Sequence, residues 1–233
     1  MFGRHESIVN RLGYLQLTIA RRWSRGLAAT LFPPRCCLCG FPGASVELDL
    51  CAFCHADLPW TARDPQGGIV PLRFEYPVDD MIRQLKYHGA IAQARVLGTL
   101  LAQAVRKCAA PLPNLLVPVP LHGARVRERG FNQAFALARY AGRMLEVPFA
   151  RNLVRRVRDT PSQTALDLHE RRRNVSGAFA LGGARAQESL VAAGHVAVID
   201  DVMTTGSTVE ELRGVLLAAG VAQVDVWAVA RAR

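Results

Sequence analysis

The stretch Val196-Ala197-Val198-Ile199-Asp200-Asp201-Val202-Met203-Thr204-Thr205-Gly206-Ser207-Thr208 constrains this chain more than any other. Four apolar residues in a row predict a buried parallel strand. Two carboxylates stand where that strand is expected to end, and a hydroxyl-rich turn with one glycine follows. Beyond it, Val209, Leu212, Val215, Leu216 and Ala219 recur at helical spacing, and Gly220 offers a stop. A strand, an acidic pair, a small-residue loop and a helix N-terminus form a kind of anion site. Backbone N–H groups of the turn, the helix dipole and the hydroxyls of Thr204, Thr205, Ser207 and Thr208 can all face one phosphate. Gly206 lets the backbone close around it. An ordinary strand–turn–helix with a Ser/Thr cap needs neither aspartate.

Carboxylates beside a phosphate repel it unless they serve hydroxyl groups or a magnesium ion. A ligand carrying a phosphate next to a diol satisfies both demands, and a ribose 5-phosphate is such a ligand. The whole order resembles the phosphoribosyl pyrophosphate (PRPP) signature of type I phosphoribosyltransferases.

Cys36 and Cys39 form one C-x-x-C and Cys51 and Cys54 another, with eleven residues between them. Each pair can put two thiolates on one metal, and the short connection lets four sulfurs close a tetrahedron. With all four ligands from protein, this is expected to be a structural zinc site. Cys37 could take the place of Cys36, which spacing alone leaves open; Cys108 is spare, and His55 is the weaker substitute ligand.

Around these two features the chain is basic. It has a formal net charge of +10, with Lys86 and Lys107 its only lysines. A surplus of this size favours anionic partners: nucleic acid, phosphorylated metabolites or an acidic membrane surface. Half the 233 residues are hydrophobic, enough for a buried core, yet no uninterrupted apolar run approaches membrane-spanning length. Residues 1–10 lack the apolar run of a signal peptide, so a cytoplasmic protein is expected.

In chain order, Ile8, Leu12, Leu15 and Ile19 lie on one helical stripe, predicting an amphipathic helix within residues 1–30 that packs on the protein itself, a partner or a membrane. Pro33-Pro34 ends it, and residues 31–64 hold the cysteines. Leu58 through Pro71 reads as a linker, with Pro65 and Gly67-Gly68. Lys86 falls in a Lys-Tyr-His-Gly turn before the apolar helix Ile91–Ala110, where it is placed either on a phosphate or in solvent. Leu115 to Pro120 reads as a buried strand. After it a basic loop with His122, Arg125, Arg127 and Arg129 leads to a helix over Phe131–Leu145. Such a loop suits a pyrophosphate, with amide contacts available from Asn132 and Gln133. Residues 151 to 177 hold seven arginines, among them Arg155, Arg156, Arg171 and Arg172. Thr160 to Leu168 reads as a mobile flap beside a site. Val224 to Ala230 is the last strand. The repeated strand–loop–helix order predicts a mostly parallel α/β sheet whose phosphate loops share the carboxyl edge.

Taken together, the separated motifs resemble the ComF family (competence protein F, amidophosphoribosyltransferase-like). They are Phe32-Pro33-Pro34-Arg35-Cys36 with the paired C-x-x-C, Lys86-Tyr87-His88-Gly89, Val117-Pro118-Val119-Pro120, Arg129-Gly130-Phe131-Asn132-Gln133, Gln163-x-x-Leu166, Arg171-x-x-Asn174 and the Asp200-Asp201 signature. The resemblance implies a type I phosphoribosyltransferase-like domain, a mostly parallel sheet flanked by helices, over residues 72–233. It also implies a small N-terminal four-cysteine zinc-ribbon-like module. Its further implication is a role in DNA uptake during natural transformation, with a helicase-like competence partner. On this reading PRPP places its 5-phosphate in Thr204–Thr208 and its ribose hydroxyls on Asp200 and Asp201, magnesium bridges hydroxyls and pyrophosphate, and Lys86, Arg127 and Arg129 face the leaving group. The alternative is a non-catalytic module that binds single-stranded DNA, or a PRPP-sensing regulator of nucleotide metabolism.

Overall fold

A computed structural model describes residues 35–43, 48–61, 67–108, 110–159 and 174–232. The expected helix within residues 1–30, the expected flap at Thr160–Leu168 and the arginines Arg171–Arg173 lie outside them. The chain divides into two units, Met1–Ala56 and Asp57–Arg233.

In the first unit a tight turn doubles back between Arg35 and Pro42, which form an antiparallel bridge. Cys36 N donates to Phe41 O at 2.7 Å and Gly40 N to Cys36 O at 2.9 Å, so the turn is fixed by its own backbone. Cys37 N donates to Asp49 O at 2.9 Å, which draws the second cysteine segment alongside before it enters the short helix α1 (Ala52–Ala56).

The second unit is built on β5 (His195–Met203), whose apolar run is wholly buried. β2 (Leu115–Pro118) and β6 (Gln223–Arg231) flank it, and β1 (Leu72–Arg73) lies outside β6. All four strands run parallel, in the order β1-β6-β5-β2. This is the predicted mixed α/β architecture with a parallel sheet flanked by helices. Every loop at a carboxyl end therefore opens on one edge.

Helices α2 (Val78–His88), α3 (Ile91–Lys107) and α5 (Gln133–Leu145) form one layer against the sheet. Their apolar stripes explain it: α2 buries Val78, Met81, Ile82 and Leu85, and α3 buries Val96, Leu97, Leu100, Leu101 and Val105. Each fully buried Leu or Val contributes roughly 1.5–3 kcal/mol. Gly98 sets the α3–α5 spacing, because a Cβ there would stand 2.9 Å from Leu137 O and from Tyr140 Cβ. In a second apolar cluster, α7 (Ser207–Ala218) packs Val209, Leu212 and Leu216 with Val196 and Val198 of β5. An antiparallel ribbon of β3 (Val154–Arg156) and β4 (Phe179–Leu181) adds Val154 and Phe179 to that cluster, and α6 (Ala184–Ala193) follows it.

Four local expectations change. The acidic pair lies inside β5, because the strand continues through Val202 and Met203 while β6 still offers partners at Ala230 and Arg231. The basic loop winds into a short helix, α4 (Gly123–Arg129), capped by His122, whose Nδ1 accepts from Ala124 N at 3.4 Å. Lys86 sits in the last turn of α2, which ends at Gly89. Part of the expected linker is sheet edge: Ile69 bridges Trp227, and Thr61 N donates to Pro71 O at 2.8 Å. Among the described residues no helix is long and apolar enough to cross a membrane.

Candidate functional site

Alternation along β5 sends successive side chains to opposite faces of the sheet. Val196 and Val198 face the α7 cluster, so Asp200 continues that side and Asp201 turns towards α2 and α5. Asp201 is buried and meets Lys86 of α2, Nζ to Oδ2 at 2.6 Å. Gln133, in the first turn of α5 and itself buried, helps to hold that carboxylate ionised. Gln133 Oε1 also accepts from Arg129 Nη1 at 3.4 Å, and the Arg129 guanidinium lies 5.5 Å from the Tyr87 ring. One contiguous group thus joins the end of α2, the end of α4, the start of α5 and the acidic pair.

The electrostatics of the pair are asymmetric. Burial, and then the neighbouring Asp201 charge, push the Asp200 carboxyl well above the usual carboxylate range. Burial acts on Asp201 in the same sense, but the Lys86 ammonium overrides it, aided by hydrogen bonds from Lys86, the Asp200 carboxyl and Gln133. Asp201 is therefore held below the usual range. Burial also works against the charge of Lys86, and the attraction of Asp201 and Asp200 outweighs both it and the repulsion of Arg129. The net effect raises the lysine pKa.

The loop beyond β5 is ordered by its own groups. Gly206 takes φ +79°, a left-handed conformation that strains any residue with a Cβ, and starts α7. Thr205 Oγ1 accepts from Ser207 N at 3.3 Å and donates to Ser207 Oγ at 3.0 Å, so two of the hydroxyls are ordered together. Thr204 presents its carbonyl to Arg231 Nη1 at 3.1 Å, which pins the loop to the end of β6. Thr208 is half-buried in the first turn of α7. N–H groups of that turn point out of the helix, where the dipole favours an anion.

Of the residues singled out in the sequence, Asp200, Asp201, Lys86 and Arg129 come together, and Thr204, Thr205, Gly206, Ser207 and Thr208 form the loop that follows. Arg127 is exposed on α4, its guanidinium directed back towards Gly123. Asn132 is a structural cap: its Oδ1 accepts from Ala134 N at 2.9 Å, and its Nδ2 donates to Val119 O at 2.9 Å. Two arginines enter without having been singled out for the site. Arg156 of β3, with its guanidinium 5.6 Å from the Phe179 ring, feels the charges of Asp200, Arg125 and Asp159. Arg231 ends β6. Its signal was available, since the last residue of a parallel strand lies on the ligand edge. Arg156 stands in a three-residue strand, too short for any period to show.

In the first unit the Sγ atoms of Cys36, Cys39, Cys51 and Cys54 lie within 4.8 Å of one another, with Cys39 and Cys51 at 3.7 Å. Tetrahedral zinc with Zn–S bonds of about 2.3 Å sets its sulfurs about 3.8 Å apart, so the cluster fits such an ion. Cys36, not Cys37, is the member. Burial alone would raise the Cys36 thiol, but N–H groups of Cys51, Cys39 and Leu38 aimed at its sulfur bring it down to about 6. A thiolate at neutral pH is what a metal requires. Cys54 is pushed up, by burial first and by the other sulfurs next.

No protein-family model matches the chain. Among curated proteins, Competence protein F of Haemophilus influenzae is 36% identical over 196 residues, spanning 78% of this chain and 84% of its own length. DNA utilization protein YhgH of Salmonella typhi and of Escherichia coli (strain K12) are each 34% identical over 200 residues, spanning 84% of this chain and 83% of theirs. A solved structure of the allosteric regulatory enzyme of purine biosynthesis aligns with 57% of this chain and 24% of that one. Its TM-score is 0.34 at 20% identity, a likeness too slight to carry an argument.

Proposed function

The chain belongs to the competence protein F family, and from that premise we propose that it binds PRPP, or another phosphoribosyl ligand, and acts in the uptake or use of DNA. The observation that carries the ligand is the sequence of groups along the carboxyl edge. An acidic pair on β5 is followed directly by a hydroxyl-lined loop closed at Gly206 and by the N-terminus of a twelve-residue helix. A 5-phosphate sits in Thr204–Thr208, and the ribose diol hydrogen-bonds to Asp200 and Asp201. Arg129 faces the pyrophosphate, and Arg127, exposed on α4, reaches it only by swinging away from Gly123. Transfer from such a ligand develops negative charge on the departing pyrophosphate, and preorganised guanidinium donors would stabilise it. Magnesium, bound together with the ligand, would supply charge neutralisation for the departing pyrophosphate.

The DNA role rests on the names of the relatives, competence in one case and DNA utilization in the other. The net charge of +10 supports it, since phosphate contacts from arginine supply affinity that falls with salt. A helicase-like competence protein is the partner this role calls for, and the cytoplasm the compartment. The four cysteines hold one structural zinc.

Calorimetric titration of PRPP with magnesium, followed by an assay for pyrophosphate release, tests the reading. Binding with release in the presence of one acceptor makes the protein a transferase and names its substrate. Binding without release makes it a PRPP-responsive module. Tight, salt-sensitive single-stranded DNA binding with no PRPP binding overturns the ligand assignment and favours the DNA-binding alternative.

A further inference from the structure

The acidic pair already has a cation. Lys86 Nζ stands 2.6 Å from Asp201 Oδ2, with 23% and 6% of the two side chains exposed. Asp201 N occupies Asp200 Oδ1 at 2.8 Å. On the Asp200 side Arg156, set over the Phe179 ring, adds a second positive charge. Magnesium demands near-octahedral oxygen ligands at about 2.0–2.1 Å and binds carboxylates whose charge is unspent. Here an ammonium lies against the carboxylate and neutralises it. Among the described residues the four cysteines are the one group of three or more candidate metal ligands, so no third acidic group joins the pair. These residues do not fit a resident divalent ion.

We propose that Lys86 is the permanent counter-cation of Asp200 and Asp201, a positioning residue that fills the place a divalent metal would take. The free protein then holds no magnesium at the pair, and metal arrives only on the oxygens of the ligand. The role of the ligand rests on the phosphoribosyl reading above, but the test uses metal alone.

Mn²⁺ is titrated into the full-length protein without PRPP and followed by electron paramagnetic resonance. The wild type should show no Mn²⁺ site that depends on the aspartates. Lys86→Met, which keeps the stem and removes the charge, should gain one site, about ten- to a hundredfold tighter than any wild-type binding. That site should vanish again on adding Asp201→Asn. Lys86→Arg keeps a cation and should gain none. A wild-type site abolished by Asp200→Asn with Asp201→Asn overturns the proposal, and so does a folded Lys86→Met protein with no new site. If Lys86→Met does not fold, the wild-type titration decides. Failure of PRPP to bind would sink the phosphoribosyl reading and leave the metal result standing.

Discussion

Lys86 of α2 and Asp201 of β5 meet at 2.6 Å, and this pair joins the helical layer to the carboxyl edge of the sheet. Its consequence is that two adjacent carboxylates of the same chemistry have opposite characters, Asp201 held ionised and Asp200 pushed towards its neutral form.

The two aspartates should therefore respond to substitution with opposite signs. Asp201→Asn strands Lys86 without its partner and should destabilise the fold by about 3 kcal/mol. Asp200→Asn removes a carboxylate that the fold disfavours and should stabilise the free protein, as expected where a site is kept at the expense of stability. Equilibrium denaturation of both variants checks this; destabilisation by Asp200→Asn would contradict it.

The pH dependence follows from the same directions. Asp201 has a depressed pKa, so its contribution is complete above the ordinary carboxylate value of about 3.9 and is lost as pH falls through its lower folded value. Asp200 has a raised pKa, so its penalty sets in as pH rises above about 3.9 and is complete above its folded value. The advantage of Asp200→Asn should grow from acid towards neutral pH and disappear at low pH. Denaturation curves across that range measure it, and a pH-independent difference would refute the assignment.

Zinc should be present at about one per chain in freshly purified protein, and Cys36→Ser or Cys51→Ser should release it. Cys37→Ser should leave it bound, because Cys37 stands outside the sulfur cluster. Elemental analysis reads all three; zinc lost with Cys37→Ser would mean the cluster is drawn with the wrong member.

Gly98→Ala should weaken the α3–α5 contact, where the new Cβ meets Leu137 O and Tyr140 Cβ at 2.9 Å. Overpacking costs about 1–3 kcal/mol, and the better helix propensity of alanine returns at most about 1. A lower denaturation midpoint is expected. An unchanged one would show that the helices can separate freely.

Much of this was legible because it is local. The apolar run Val196–Ile199 with its glycine-bearing loop, and the two C-x-x-C pairs, each place their groups through short-range geometry. The parallel sheet followed from two strand–loop–helix units and a last apolar strand. What was not legible depends on tertiary neighbours. The Lys-Tyr-His-Gly segment reads as a turn by composition, yet Val78, Met81, Ile82 and Leu85 bury one face and make it a helix, carrying Lys86 to Asp201. The strand β5 runs past its aspartates because β6 continues to pair with it. Arg156 joins the group only through the packing of the β3–β4 ribbon.

The most direct test of the central claim is titration of PRPP with magnesium into the wild type and into the Asp200→Asn, Asp201→Asn double variant, with single-stranded DNA affinity measured on both. The account predicts saturable PRPP binding to the wild type, none to the variant, and unchanged DNA affinity. Equal PRPP binding by both proteins, or none by either, would contradict it.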